Sequence, residues 1–156
     1  MGYIKDLRKI VGTRPLIMCG ACVLIINNRQ QVLLQLRIDN GCWGLIGGSM
    51  ELGETLEQVA HRELFEETGL KVKNLKLINT YSGQDFYYQY PHGDEVYIVV
   101  TAFECKEYSG LLVHDQNEAT MLQFFSLDDL PKNISPPDRP ILEDYIKSYS
   151  KNPSNH

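Results

Sequence analysis

Apolar positions along the chain change period several times, and each change marks an element. Ile4, Leu7, Arg8, Ile10 and Val11 put apolar groups on one side of a short helix that Gly12 ends. Arg14-Pro15 breaks to a strand over Leu16 to Ile26. Asn27-Asn28-Arg29 is a turn signal, and Gln31 to Arg37 is a second strand, so the two are expected to form a hairpin. Asn40-Gly41 is another turn, and Trp43 to Ile46 runs extended into Gly47-Gly48. A helix follows from Leu56 to Thr68. Thr55 and Gln58 read as a capping box at its start, with Gly69 and then Leu70 as the stop.

Leu75 to Ser82 reads as a strand. Asp94 to Glu104 reads as a stronger, central one, because both of its faces are fairly apolar. Between them lies a Tyr-rich connection, Gln84 to Gly93. Leu122 to Ser126 is a last short strand, and Leu127 to Leu130 a turn of helix stopped by Pro131. Pro136-Pro137 is a rigid link to a closing helix, Pro140 to Tyr149, and residues 150–156 read as a disordered tail. The mixture lacks a regular βα alternation. It predicts one domain over residues 1–149, of an α+β or sandwich arrangement, in preference to a doubly wound sheet.

Composition narrows the class. The chain has 156 residues, 43% hydrophobic and 22% charged, which is ordinary for one globular domain. Fifteen basic against twenty acidic residues give a net charge of −5. That argues against a grip on long nucleic acid through phosphates, and leaves room for a small phosphorylated ligand held by a metal. Four cysteines are too few for a disulfide scaffold. Cys19 and Cys22 sit on one strand at a spacing that sends them to opposite faces, so they read as buried apolar thiols. Basic residues precede the apolar run at Leu16 in the manner of a leader, but that run is too short to span a bilayer. A cytoplasmic protein without membrane contact is expected.

The chemistry concentrates in the helix at 56–68. Glu63, Glu66 and Glu67 stand at i, i+3, i+4 and share a face. That face borders the apolar side with Leu56, Ala60 and Leu64. Clustered carboxylates repel, and more so where water is partly excluded. Arg62 can offset part of this, but it cannot neutralise three glutamates and Glu54. All-oxygen ligands suit a hard divalent cation, Mg²⁺ or Mn²⁺. Gly47-Gly48 just upstream lets backbone approach a ligand.

The segment Gly48–Leu70 resembles the Nudix box, G-x5-E-x7-R-E-U-x-E-E-x-G-U with U bulky and apolar. Gly48, Glu54, Arg62, Glu63, Leu64, Glu66, Glu67, Gly69 and Leu70 match every specified position. A chance match is on the order of one in ten million at average composition. The resemblance implies an α/β/α sandwich around a mixed sheet, and Mg²⁺-dependent hydrolysis of a nucleoside diphosphate linked to another group. It implies Glu63, Glu66 and Glu67 as metal ligands, joined by the Gly47 carbonyl. Glu54 would support the loop or an outer water, and Arg62 would orient the glutamates. It further implies a carboxylate in a loop before the last strand. Asp115, Glu118 and Glu107 are candidates, and Glu118 fits best. Glu63 or Glu118 would take the proton of the attacking water. One departure is Ile46, where many members carry proline.

The substrate's other half is read less directly. Tyr87 and Tyr88 are expected to stack a base, since aromatic faces accept any base. A tyrosine at this distance after the box resembles a feature of the family's diadenosine polyphosphate hydrolases. The proline that ADP-ribose hydrolases carry downstream of the box is absent, Asp85 and Phe86 standing there. Trp43 either lines the pocket or plugs the core. His61 is expected to be exposed, and His92 and His114 carry no signal. Rival readings are a nucleotide-sugar sensor that binds without cutting, isoprenoid diphosphate isomerisation, and diphosphate removal from RNA 5′ ends. A complete box argues against the first two, and the acidic charge against the third. A small nucleotide partner is expected, with a homodimer as an option.

Overall fold

The computed structural model describes residues 2–113 and 115–151; His114 and the tail at 152–156 lie outside them. Strand β1 (Leu16–Ile25) organises the rest. Its second half is apolar at every position, and successive residues face opposite sides. Cys22 and Leu24 enter one core, while Ala21, Val23 and Ile25 enter the other. A strand buried on both faces needs cover on both. Helix α2 (Leu56–Thr68) gives Val59, Ala60 and Leu64 to the second core. Helix α3 (Arg139–Lys151) gives Ile141, Leu142 and Tyr145 to the first. These layers are the α+β sandwich that the sequence predicts.

Two sheets fill the middle. In the larger, β4 (Ile46–Ser49) is the edge beside β1, followed by β7 (Glu95–Ser109) and β5 (Lys71–Tyr81), with β6 (Tyr87–Gln89) also on β7. β1 and β7 run parallel, and the other pairs of this sheet are antiparallel. The smaller sheet orders β3 (Trp43–Gly44), β2 (Gln31–Arg37) and β8 (Ala119–Ser126). β7 is central, as its two apolar faces predict.

The expected hairpin of the first two long strands does not form. β1 and β2 belong to different sheets, and just past the end of β1 their pairing is limited to the bridge Ile26–Val32. β2 carries apolar side chains into both cores, and so does β1, so each takes its own neighbours beyond that bridge. Residues 127–130 form a turn, not a turn of helix. The Tyr-rich connection holds a short 3-10 turn, Gln84–Phe86, and the unforeseen β6.

Helix α1 (Tyr3–Val11) has no fully buried residue; Ile4, Leu7 and Val11 of its apolar side are half-buried, and polar contacts add to them. The Tyr3 N–H donates to Glu51 (2.7 Å). The Arg8 guanidinium donates to the carbonyls of Gly12 and Glu95 (2.9 and 2.6 Å) and pairs with Asp94 (3.5 Å). Among the described residues no helix is long and apolar enough to cross a membrane.

Candidate active site

Helix α2 is fixed at both ends by its own sequence. The Thr55 hydroxyl accepts from the Gln58 N–H (3.1 Å), and the Gln58 side chain accepts from the Thr55 N–H (2.8 Å). Gly69 adopts φ +76° and returns its N–H to the Phe65 carbonyl. That is the left-handed stop glycine supplies without strain. With its ends fixed, the helix presents Glu63, Glu66 and Glu67 in the predicted register.

The three glutamates lie at three depths. Glu66 is exposed, Glu63 is half-buried and Glu67 is 5% exposed. Each oxygen of Glu67 has one donor: Gln35 Nε2 at 2.8 Å on Oε1, and the Gly47 N–H at 3.0 Å on Oε2. Burial pushes the Glu67 carboxyl well up, the neighbouring Glu63 adds to this, and the two donors oppose it. Burial also raises Glu63, while Arg62 opposes the rise and the charges of Glu66 and Glu118 add to it. Glu63 and Glu67 therefore both feel Glu118.

Arg62 is the hub. It donates to both oxygens of Glu54 (2.7 and 2.8 Å), to Glu63 (2.8 Å) and to the Ser49 carbonyl (3.0 Å), and it reaches Glu66 at 3.4 Å. A bidentate guanidinium–carboxylate pair is directional as well as strong. It holds the Glu54 carboxyl below the usual range. Glu54 in turn accepts the Glu51 N–H (2.8 Å), so one arginine ties the loop after β4 to the helix.

The glycines answer a steric demand. A Cβ on Gly48 would overlap the Glu63 carboxylate, and one on Gly47 would overlap the Ala21 carbonyl oxygen across the strand pair. Gly47 meets Glu67 through its N–H. Residues on either side of position 114 dock on the other end of α2: the Val113 N–H bonds the Thr68 carbonyl (2.8 Å) and the Asp115 N–H the Glu67 carbonyl (3.3 Å). This docking brings the exposed Glu118 to the cluster. Glu107 lies elsewhere, beside Lys73 and Lys106.

No three His, Cys, Asp or Glu side chains stand ready as a metal cage among the described residues. The donor set nonetheless suits a hard cation. It is all oxygen, its charge is only partly met by Arg62, and each Glu67 oxygen keeps a lone pair beyond its single bond.

A cavity of about 120 Å³ opens on the α3 side of β1 and β4, against Met18, Gly20, Cys22, Gly47 and Gly48. Tyr88, Tyr90, Asn40 and Asp138 line its far wall. Asn40 donates to the Tyr88 hydroxyl (2.9 Å), and the Tyr88 and Tyr90 rings meet edge to face at 4.9 Å. Asp138 accepts the Leu45 N–H (3.0 Å). Burial pushes its carboxyl up to about 6, against the pull of that N–H and of Arg37.

Of the residues expected to read the substrate, only Tyr88 lines this cavity. Alternation along β6 turns Tyr87 to the other face, where it stacks on Tyr97 and bonds Glu95. Trp43 is 9% exposed and packs edge-on against Phe125 at 4.7 Å, which makes it a core residue. His61 is exposed. Sequence reasoning missed Gln35, Asn40, Tyr90 and Asp138. Gln35 alone left a trace, a polar residue inside an apolar strand.

Comparison with known proteins agrees with this arrangement. Residues 18–145 match the NUDIX domain model. The chain is 33% identical over 131 residues to the NAD-capped RNA hydrolase NudC of Salmonella agona, a match covering 80% of this chain and 47% of that protein. It thus spans about half the length of the curated relatives it matches. The crystal structure of a MutT NUDIX hydrolase from Burkholderia pseudomallei superposes with TM-score 0.70 at 26% identity, covering 82% of this chain and 97% of that one. The MutT protein of Methanosarcina mazei gives TM-score 0.69 at 20% identity over 86% and 96%, a likeness of fold alone. The box on α2, the sandwich around it and the family match over most of the chain agree: this protein belongs to the Nudix family.

Proposed function

We propose that the protein hydrolyses a diphosphate linkage in a nucleotide derivative, in a reaction that depends on Mg²⁺ or Mn²⁺. The carrying observation is the graded burial of Glu63, Glu66 and Glu67 around one arginine and two glycines. Those three glutamates, with Glu118 and the Gly47 carbonyl, are the proposed metal ligands. A bound divalent ion would supply positive charge against the phosphate oxygens and a more acidic water.

The chain's own groups do the rest. Glu67 is held by two donors and keeps its place. Arg62 keeps Glu63 aimed while tying the loop to the helix. Glu63 or Glu118 accepts the proton of the water whose oxygen bonds phosphorus, the bridging P–O bond breaks, and the departing fragment keeps the bridging oxygen on its own phosphate. β4 is a sheet edge, with the glutamates on one face and the cavity on the other. The bare backbone at Gly47 and Gly48 gives a diphosphate a way across that edge, with a base lodged by Tyr88 and Tyr90.

The similarity to NAD-capped RNA hydrolases puts NAD-type dinucleotides among the first substrates to test. Capped RNA belongs beside them, although the charge of −5 favours a small nucleotide. The test is product release from NADH, ADP-ribose, dinucleoside polyphosphates, nucleoside triphosphates, nucleotide sugars and NAD-capped RNA, with and without Mg²⁺. Metal-dependent cleavage of one class well above the rest supports the reading. Nucleotide binding without any cleavage contradicts it and favours a sensor.

A further inference from the structure

Gln35 stands where packing alone calls for an apolar residue. Val32, Leu33 and Leu34 just before it on β2 are fully buried, and Gln35 is itself 1% exposed. It lies on a different sheet from the strand that carries Gly47. Its Nε2 donates to Glu67 Oε1 at 2.8 Å and lies 3.4 Å from the Leu45 carbonyl, while its Oε1 has no partner. A buried amide with one empty acceptor is costly. Leu or Met would fill the space without that empty acceptor, so what the amide contributes is its donated bonds, the shorter one to Glu67 and the longer one to the Leu45 carbonyl.

The Glu67 carboxylate then has one donor on each oxygen, from opposite sides: a side chain of the smaller sheet and the backbone N–H of Gly47 in the larger. One donor would leave the carboxylate free to turn about its last bond. Two on different oxygens fix its plane. We infer that Gln35 is a positioning residue for Glu67, and sets that carboxylate's orientation for a divalent cation. The inference rests on the metal-site reading given above. Partners one bond removed from a metal commonly change its affinity by about 10–100-fold.

The test is Gln35→Met, close in volume and without a donor, with Gln35→Leu as a second variant. Mn²⁺ binding to the substrate-free protein is followed by electron paramagnetic resonance, and melting is followed without metal. The expected result is a Mn²⁺ Kd weaker by about tenfold or more, beside whatever fall in metal-free melting the loss of the buried Gln35 bonds brings. As a contrast, Leu122→Ala, opposite Gln35 on β8, lowers melting and leaves the Mn²⁺ Kd alone. A Mn²⁺ Kd within about twofold of wild type in the Gln35 variants overturns the inference and spares the metal site. A Leu122→Ala variant that weakens Mn²⁺ as much as the Gln35 variants gives Gln35 a packing role and also overturns it. Failure of the wild-type protein to bind Mn²⁺ overturns the metal-site reading itself, and the inference with it.

Discussion

The two walls of the site are built on opposite plans. The α2 wall is mostly one continuous stretch, Gly47 to Gly69, held by its own caps and by Arg62, with Gln35 and Glu118 added from outside it. The cavity wall draws Asn40, Tyr88, Tyr90 and Asp138 from segments far apart in the chain. A contiguous wall keeps its geometry through bonds between near neighbours, and its chemistry, charge on phosphorus, is the same for every substrate. A scattered wall depends on the whole fold, and under the proposed function it is where substrates would be told apart. The first wall should therefore respond to substitution in turnover, and the second in substrate preference.

The largest break comes from Gly48→Ala. Its Cβ displaces the Glu63 carboxylate, and kcat should fall by about 10²-fold, since small misplacements of reacting groups cost that much. Steady-state kinetics on the best substrate checks this, and an unchanged kcat would mean Glu63 stands outside the chemistry. On the other wall, Tyr88→Ala should raise KM by about tenfold, while Tyr87→Ala should leave it within about twofold. Equal effects of the pair would remove the cavity from the account.

Smaller effects sharpen the contrast. Thr55→Ala removes half of the capping box and should cost about 1 kcal/mol, read in a denaturant titration. The pH dependence is smaller still. Asp138, Glu67 and Glu63 all have carboxyls raised in the fold, so each binds its proton more tightly folded than unfolded. The stability they contribute is complete below the unfolded pKa and is lost as pH rises through the folded one. For Asp138 that window runs from the ordinary 3.8 to about 6. Metal-free melting should drop between about pH 4 and pH 6, Mg²⁺ should restore it, and Asp138→Asn should make the slope shallower. A flat profile in the wild type would contradict the burial of these carboxyls.

The same difference in construction decides what was legible. Helix α2 was readable to its end residues because cap, period and stop are local signals. The pairing of β1 was not. An apolar strand buried on both faces gives no clue to its neighbours, and adjacency in sequence pointed to β2 instead of β4 and β7. Tyr87 and Tyr88 are equivalent in composition. Only the register of β6 against Tyr97 and Val96 separates the ring in the cavity from the ring outside it. Asp138 shows up only once the turn at 135–138 brings its carboxylate to the Leu45 N–H, 93 residues back in the chain.

The most direct test of the central claim is a Mg²⁺ titration of turnover for the wild type and Glu67→Gln, which keeps the shape of the side chain and removes its charge. The account predicts that wild-type turnover rises from background with Mg²⁺, and that the variant is lower by about 10³-fold at every concentration. A variant that cleaves at the wild-type rate, or a wild type indifferent to Mg²⁺, would contradict it.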